Sequence, residues 1–375
     1  MANGIHLTLM IGPAVPVPVS KAVLDALSSV EVTNTADGPS TFQLHFTLDK
    51  NSPLLTLFMV AAGASIPLVR VVVVVTVNGS SEVLIDGVMT HHQMAPGSGG
   101  QAPALTITGE DLTKVMDYID FSGIPYPAMP REARVLVILA KYAIFGVIPM
   151  VIPSILIDVP IPIQEIPRQK GKDLAYVRLL AEEVGYVFYI EPGPSPGTSV
   201  AYWGPDIKVG VPQPALNVDM DAQTNVESMT FTYSSENAKL PIVFVQEQNT
   251  KAIFPIPIPN ITPLNPPLGI VPPIPKNIEP IDETAKYNPI RAALIGLSKA
   301  AKSADVVSAN GTLDVLRYAH VLKARKLVGV RGVGTAFDGL YYVNSVTHNI
   351  KRGEYKQSFT LSRNGLISTF PRVPA

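Results

Sequence analysis

The sequence contains the same succession of strand-like segments twice. The first series is an alternating apolar and polar strand at residues 41–46, a hairpin that ends at 88–91 and a strand at 105–108. The second is residues 229–233, a hairpin that ends at 346–348 and residues 359–362. Strict alternation places one face of a strand on a core and the other on solvent or a partner. The shared order predicts two related β-domains, with chance similarity between amphipathic strands as the alternative.

The hairpin of the first series has a clear turn signal. A run of valines at 71–77 leads into Asn78-Gly79, and a second apolar run follows at 82–89. Asn-Gly readily takes the positive φ that a tight hairpin turn requires. The unbroken valines predict a strand buried on both faces.

The period of the apolar residues changes after about residue 110, which predicts helices. Pro130 opens a predicted helix to residue 145, with Arg134 and Lys141 on a narrow polar stripe. A second helix has Asp173 as its N-cap and ends at Gly185, and a strand follows at 186–190. These elements predict a small α/β unit.

The strongest candidate for a membrane span runs from residue 135 to 157. Lys141 interrupts it, and Pro149 and Pro153 break its second half. The stretch is therefore interpreted as a buried helix followed by an extended segment, and no membrane span is predicted.

Ten prolines lie between residues 255 and 280. Proline donates no backbone hydrogen bond, so the segment is predicted to be a poor internal strand. Its isoleucines and leucines would be penalised in water, which favours an ordered strap against a neighbouring subunit or protein over a flexible linker. The predicted assembly interface consists of the apolar residues Ile256, Ile258, Ile261, Leu264, Leu268 and Ile270.

The C-terminal third combines two predicted helices with strands. One helix runs from residues 288–289 to about 302, and Thr312 is predicted to cap another. Strands are predicted near 327–331, 340–348 and 355–362. The chain as a whole is therefore predicted to be α+β, mainly β. Its predicted units are a first β-domain (1–112), an α/β middle domain (113–214), a second β-domain (215–250 and 310–370) and an insertion (251–309).

Composition excludes several classes of function. With 29 basic and 30 acidic side chains the formal charge is -1, so no overall field attracts nucleic acid or an anionic membrane. Charged residues make up only 16%, which fits either surface hidden in an assembly or an apolar monomer with many loops. The absence of cysteine excludes disulfides and thiolate sites and fits a protein made in a reducing cytoplasm. No secretory signal is recognisable in the first 20 residues.

No group of residues predicts catalysis, a metal ion or a cofactor. His91 and His92 near Asp86 would point to opposite faces of a strand, so both imidazoles could not easily hold one ion. The glycines at 329, 332 and 334 lack the dinucleotide-binding spacing, and residues 219–221 lack the other ligands of a calcium loop. Glu182 and Glu183 are predicted on the exposed side of a helix rather than in a cleft.

The chain resembles a known family in its C-terminal part. The runs LVGVRG at 327–332, DGLYYV at 338–343, VTH at 346–348 and YKQSFTL at 355–361 resemble the end of phage late control protein D-like tail hubs. The run LLAEEVGY at 179–186 is similar to the family's middle domain. Residues 30–34 and 37–40 look closest to the extracellular injection systems among its members, which also include phage tails and type VI spike proteins.

The resemblance implies two tube-like β-barrel domains, the second one split, with the α/β domain between them. It also implies a homotrimer with six similar β-domains, located in the baseplate between the tail tube and the spike and in contact with other baseplate proteins. Fused relatives continue into an OB-fold and a β-helical needle that this sequence lacks, so the spike is expected to be a separate protein.

The predicted function is therefore a non-enzymatic hub of a contractile tail or injection particle. Two alternatives from other classes remain open. One is a tail-associated peptidoglycan hydrolase, against which the lack of a carboxylate or zinc constellation argues. The other is a host- or glycan-binding β-sandwich module, which should expose aromatic side chains, whereas Trp203 is the chain's single tryptophan.

Overall fold

The computed structural model describes residues 4–48, 68–97, 102–155, 159–246, 250–259, 265–272, 274–275, 277–281, 284, 287, 289–303 and 305–370. Their strands, in chain order, are β1 His6–Gly12, β2 Val17–Pro18, β3 Leu27–Thr35, β4 Thr41–Thr47, β5 Arg70–Val77, β6 Ser80–Ala95, β7 Ala104–Asp111, β8 Val147–Val151, β9 Tyr186–Pro192, β10 Ser199–Pro205, β11 Gln213–Asn217, β12 Val226–Tyr233, β13 Lys239–Gln246, β14 Ile253–Pro257, β15 Gly269–Val271, β16 Asn277–Ile281, β17 Val307–Asp314, β18 Leu327–Arg331, β19 Gly339–Lys351, β20 Glu354–Arg363 and β21 Leu366–Ser368. The α-helices are α1 Lys21–Ala26, α2 Arg131–Ala140, α3 Asp173–Glu182, α4 Pro289–Ser303 and α5 Val315–Tyr318. The prediction of an α+β, mainly β fold is confirmed.

One large sheet connects the N- and C-terminal parts of the chain. Its strand order is β12-β17-β20-β19-β3-β4-β7-β6-β5-β1-β2, and β18 extends it from β19 and carries β11. The two parts meet where β3 pairs antiparallel with β19. Strands far apart in sequence thus share one continuous hydrogen-bonded sheet.

The large sheet contains the same strand order twice. We define repeat 1 as β1, β3, β4, β5, β6 and β7, and repeat 2 as β11, β12, β17, β18, β19 and β20. If each set is lettered a to f in chain order, both have the spatial order b-c-f-e-d-a. They differ in that β1 lies antiparallel to β5, whereas β11 lies parallel to β18.

The structure corrects which strands correspond. The prediction matched residues 41–46 with 229–233, but β4 occupies the position of β17, and β12 occupies that of β3. The sequence comparison started the first series one strand too late, because amphipathic strands of equal period are interchangeable in a pattern. The division into separate domains at the predicted boundaries stays a prediction.

The two repeats bury their apolar side chains in one shared hydrophobic cluster. Leu44 and Val73 from repeat 1 and Tyr341, Val346 and Leu361 from repeat 2 are all fully buried in it. Burial of apolar area contributes about 25 cal/mol per Å², so this shared cluster stabilises the two repeats together. The predicted burial of the valine run is confirmed, and Asn78 and Gly79 have φ of 50° and 83°, as the predicted hairpin turn requires.

A second cluster joins α2 and α3 to the sheet β8-β10-β9, and Ile138, Val177 and Trp203 are fully buried in it. The predicted polar stripe of α2 is wrong at Arg134, whereas Lys141, directly after the helix, is exposed. Arg134 is buried and donates a hydrogen bond to the Tyr176 hydroxyl at 2.8 Å. The exposed side chains of α2 include Leu136 and Val137. The helical spacing predicted that Arg134 is exposed, but a buried hydroxyl group accepts its hydrogen bond and allows it to be buried.

Two predicted helix caps are also wrong. Lys172 occupies the N-cap of α3, while the buried carboxylate of Asp173 lies 2.6 Å from Lys141 Nζ and accepts a hydrogen bond from the Tyr142 hydroxyl at 2.7 Å. Thr312 lies within β17, and the carboxylate of Asp314 accepts the backbone hydrogen bonds that cap α5. Gly185, with φ of 70°, does end the α3 segment in the left-handed conformation.

The proline-rich segment forms short strands at sheet edges. β14 and β16 flank β13, and α4 covers that small sheet where Gly296 packs against Val243 and Ile258. β15 pairs with β21. Edge positions tolerate proline because the missing donor faces away from the neighbouring strand. No helix in the described part of the chain is long and apolar enough to cross a membrane.

Candidate assembly surfaces

The junction between β3 and β19 joins the two repeats. Seven residue pairs extend from Thr35–Ser345 to Ser29–Lys351. The hydroxyls of Thr33 and Thr347, directly opposite each other, lie 3.0 Å apart. The junction therefore combines an antiparallel backbone ladder with contacts between side chains.

His348 lies at the centre of this junction and is 3% exposed. Its Nδ1 accepts from the Tyr355 hydroxyl at 2.7 Å and from the Gln357 amide at 3.2 Å, and its Nε2 donates to the Asn34 side chain at 3.0 Å. The Asn34 amide in turn donates to the backbone carbonyl of Leu84 in β6. This arrangement holds a neutral imidazole, and burial lowers the pKa of His348 to about 3.

Two of the pairing irregularities coincide between the repeats, whereas those in the β5–β6 and β11–β18 pairs have no counterpart. A bulge falls between Leu27 and Ser29 in the β3–β4 pair, and the β12–β17 pair has one between Val226 and Ser228. Further bulges follow Met89 in the β6–β7 pair and Val343 in the β19–β20 pair. Bulges add one residue and bend a strand, so their coincidence gives a residue-by-residue correspondence between the repeats.

The correspondence can be checked along a second path through the sheet. The bulges make Ser29 correspond to Ser228, and His91 to Ser345. Two residues after Ser29 and Ser228, Glu31 should therefore correspond to Thr230. Pairing across the strands of repeat 1 leads from His91 through Thr108 and Gln43 to Glu31. The same steps in repeat 2 lead from Ser345 through Thr360 and Asn310 to Thr230. Both paths agree, so the repeats match in register as well as in strand order.

The face of the large sheet opposite the apolar core carries many hydroxyls. Side-chain oxygens of Ser228 and Thr312 lie 2.8 Å apart, and those of Ser345 and Thr360 lie 2.7 Å apart. One row of directly paired residues crosses six strands and consists of Ser228, Thr312, Ser358, Thr347, Thr33 and Thr41. This row crosses the β3–β19 junction without a break and carries no formal charge.

A buried ion pair links repeat 1 to the middle of the chain. Arg70 Nε and Nη2 donate to the two carboxylate oxygens of Asp86 at 2.7 and 2.6 Å, and both side chains are at most 2% exposed. Ser199 in β10 donates to Asp86 at 3.2 Å, and Arg70 also donates to the carbonyl of Gly197. Burial raises the pKa of the Asp86 carboxyl, while its hydrogen bonds with Arg70 and Ser199 oppose that rise.

The structure separates the predicted interface residues into two groups. Ile256 and Ile270 are exposed, at 42% and 61%. Ile258 and Leu268 are each 5% exposed: Ile258 packs near Val243, and Leu268 lies in a small cluster with Leu327 and Leu340. The remaining two, Ile261 and Leu264, lie outside the described residues. Whether any of these side chains contacts a partner stays a prediction.

The residues considered for chemistry do not converge. His91 and His92 are exposed at the end of β6, whereas Asp86 is buried beside Arg70. Glu183 lies near Arg131 and Arg291 in ion pairs of 2.8 and 2.9 Å. No group of three or more His, Asp and Glu side chains suited to a metal ion occurs among the residues with described positions.

Sequence reasoning missed the contacts of His348, Arg70 and Asp86, and considered Asp86 only beside His91 and His92. A signal existed for the ion pair, since Arg70 begins the apolar run of β5, Asp86 interrupts an apolar stretch of β6, and the two strands form one hairpin. Buried charges in proteins are usually paired, so opposite charges in such a hairpin indicate a salt bridge. His348 gave no such signal, because its partners come from β3 and β20.

Comparison with known proteins gives structural matches only. The sequence matches no family model and no curated protein. The tail protein from Neisseria meningitidis MC58 superposes with a TM-score of 0.62 at 13% identity, over 97% of this chain and 98% of that protein. The chain has the fold of phage tail proteins. The 43 kDa tail protein of prophage MuSo2 from Shewanella oneidensis superposes with a TM-score of 0.59 at 13% identity, over 96% and 98% of the two chains.

A chain of the Francisella PdpA-VgrG complex is also similar in structure to this chain. The two superpose with a TM-score of 0.60 at 8% identity. The match covers 99% of the present chain but only 55% of the length of the Francisella chain. The predicted resemblance to tail hubs is confirmed at the level of the fold.

Proposed function

We propose that this chain is a structural hub in the baseplate of a contractile phage tail or a related injection particle. The observation that carries the proposal is the repeat: one chain holds two β-units with the same strand order and with two bulges at equivalent positions, joined in one sheet. The tail-protein fold over nearly the whole chain supports the same assignment.

The duplication suits a particular geometric task. A homotrimer of this chain presents six similar β-units in a ring, so its ring has approximate sixfold symmetry built from three subunits. Such a ring can match a hexameric tail tube on one side and a trimeric spike on the other. The proposed partners are therefore two further copies of this chain, tube or tube-initiator proteins, a separate spike protein and other baseplate proteins.

The proposal assigns no catalytic residue, metal ion or cofactor to the chain. Two ion pairs with a buried carboxylate hold elements together: Arg70 with Asp86, and Lys141 with Asp173. We also propose that the chain divides into the four units predicted from the sequence and that the proline-rich segment contacts a neighbouring protein. The mature protein would then reside in the particle after synthesis in the bacterial cytoplasm.

Deletion of the gene tests the proposal. Cells without the protein should make sheath and tube subunits but no complete particles, and the unaltered gene supplied in trans should restore them. A normal yield of active particles from the deletion strain would refute the hub function. Lysis of purified cell wall by this protein alone, in a zymogram, would instead favour the peptidoglycan hydrolase.

A further inference from the structure

A cavity of about 340 Å³ lies between the small sheet β8-β10-β9 and repeat 2. The small sheet contributes Tyr189 and Tyr202 to its wall, and repeat 2 contributes Tyr342 of β19. The ring of Tyr202 stacks on that of Tyr189, with the ring centres 5.0 Å apart. Concave sites with aromatic walls and a few polar groups are typical of ligand binding.

Arg325 lines this cavity, and its guanidinium has no polar partner among the described residues. The guanidinium carbon lies 4.1 Å from the centre of the Tyr189 ring, which is a cation–π contact. Its Nε and Nη2 are buried and make no hydrogen bond. Arg134 and Arg363 also have a buried Nε without a partner, but their other nitrogens donate to a hydroxyl and to backbone carbonyls. Arg325 has no such compensation.

The same two nitrogens of another arginine hold a carboxylate in this chain. Nε and Nη2 lie on one edge of the planar guanidinium, and in Arg70 they donate to the two carboxylate oxygens of Asp86 at 2.7 and 2.6 Å. This planar, two-point recognition of a carboxylate is a particular property of arginine. Arg325 has the same pair of donors but lacks the acceptor.

The other charged groups of the cavity have partners. Lys208 Nζ lies 2.9 Å from the Asp305 carboxylate and 5.1 Å from the centre of the Tyr342 ring. Asp37 and Asp206 also line the cavity, and neither is without a partner. Arg325 differs from them, because the described residues supply it with no hydrogen-bond acceptor.

The backbone fixes the position from which the Arg325 side chain extends. The Arg325 N–H donates to the carbonyl of Val343 in β19 at 2.9 Å, and the Val343 N–H donates to the carbonyl of Lys326 at 2.9 Å. These two hydrogen bonds hold the loop beside Tyr342. Only the side chain of Arg325 therefore has to move for its free edge to meet a ligand.

A row of side chains leads from the surface of the small sheet to Arg325. Met150 in β8 is paired directly with Tyr202 in β10, and Tyr202 with Tyr189 in β9, so all three lie on the same face. Met150 is 50% exposed, and Ile148, on the same face, is 52% exposed. A ligand that reaches Arg325 across this face contacts apolar and aromatic surface beside the guanidinium.

We propose that this cavity binds the carboxylate of an aspartate or glutamate side chain from another protein. An apolar residue of the same segment packs on Met150 and Tyr202. Rotation of the Arg325 side chain turns its Nε and Nη2 edge toward the two carboxylate oxygens, in the arrangement that Arg70 makes with Asp86.

The charges around the cavity favour a carboxylate over a phosphate group. The carboxylates of Asp37, Asp206 and Asp305 repel a doubly charged phosphate more strongly than a singly charged carboxylate. The site itself does not depend on the hub function. Only the assignment of the acidic segment to another protein of the same particle rests on that proposed function.

A random library of heptapeptides, presented to the immobilised full chain, tests the site. The unaltered chain should enrich peptides that carry Asp or Glu next to an apolar residue. Arg325→Met should lose the acidic preference, and Arg325→Lys should keep only part of it, because lysine retains the charge but not the two-donor edge. Arg317→Met, which removes an exposed arginine outside the cavity, should leave the preference unchanged.

The affinity of the best acidic peptide measures the contribution of its carboxylate. Replacing its Glu by Gln, or its Asp by Asn, should weaken binding to the unaltered chain by about tenfold or more, as expected for a two-point charged hydrogen bond. The same replacement should have little effect on binding to Arg325→Met. The comparison of acid and amide peptides on the unaltered chain decides the question even where a variant does not fold.

Three results would overturn the proposal. One is a library without acidic enrichment on the unaltered chain, and another is equal enrichment on the unaltered chain and on folded Arg325→Met. The third is acidic enrichment only after Asp206→Asn, which would show that Asp206 already occupies Arg325 in solution. Thermal stabilisation by glutarate without acidic enrichment in the library would indicate a site for a small acid and would also refute the protein ligand. The hub function is tested separately by the gene deletion.

Discussion

Removal of the Asp86 carboxylate charge should be among the most damaging single changes in the first repeat. Asp86→Asn keeps the size of the side chain but leaves the Arg70 guanidinium, which is 2% exposed, without its ionic partner. Breaking a buried ion pair by removing one partner costs about 3–5 kcal/mol, because the remaining charge stays buried and unpaired. For a unit of roughly 200 residues, 1 kcal/mol shifts the melting temperature by about 2–4 °C, so we expect a fall on the order of 10 °C.

Thermal and urea unfolding of matched variants measure this effect. Asp117→Asn is the control, since it removes an exposed carboxylate that lies 3.3 Å from Lys172 and should cost less than about 1 kcal/mol. Arg70→Met combined with Asp86→Leu should recover much of the loss, because an apolar pair leaves no buried charge. If Asp86→Asn destabilised the protein no more than Asp117→Asn, the structural role of the ion pair would be refuted.

The remaining predictions concern pH and the proline-rich segment. The pKa of His348 is about 3 in the folded chain and about 6.5 in the unfolded chain, so the unfolded chain binds a proton first as the pH falls. The contribution of His348 to the free energy of unfolding is therefore fully present above pH 6.5 and is lower by about 2 kcal/mol at pH 5. His348→Gln should lack this part of the pH dependence in urea unfolding, and an unchanged dependence would contradict the assignment. Ile270→Glu, at an exposed position, should leave the melting temperature unchanged but lower particle yield, whereas Val211→Glu, also exposed, should lower neither. Equal yields from both variants would show that Ile270 faces no partner.

Local patterns in the sequence predicted individual elements well. The valine run and Asn78-Gly79 predicted the β5–β6 hairpin, since both the burial and the backbone conformation are encoded within adjacent residues. The same holds for α4 and for β18 to β20, whose limits lie close to the predicted ones. Mainly β structure was predictable for the same reason.

Partners that lie far apart in sequence were not predictable. Arg134 was expected on a polar surface but is buried, because the Tyr176 hydroxyl of another helix accepts its hydrogen bond. Asp173 was expected at a helix end but is buried, because the ammonium group of Lys141 pairs with it. The duplication was visible as a repeated pattern, yet its alignment required the bulges at Ser29 and Ser228, which exist only in the pairing of strands.

The number of copies of this chain in the assembled particle tests the central claim most directly. It can be counted in a cryo-EM reconstruction of the tail tip without imposed symmetry, or by quantitative mass spectrometry against the tube subunit. The duplicated sheet predicts three copies, with their six β-units in one ring beneath a hexameric tube. Six copies in that ring, or a single copy, would contradict the account.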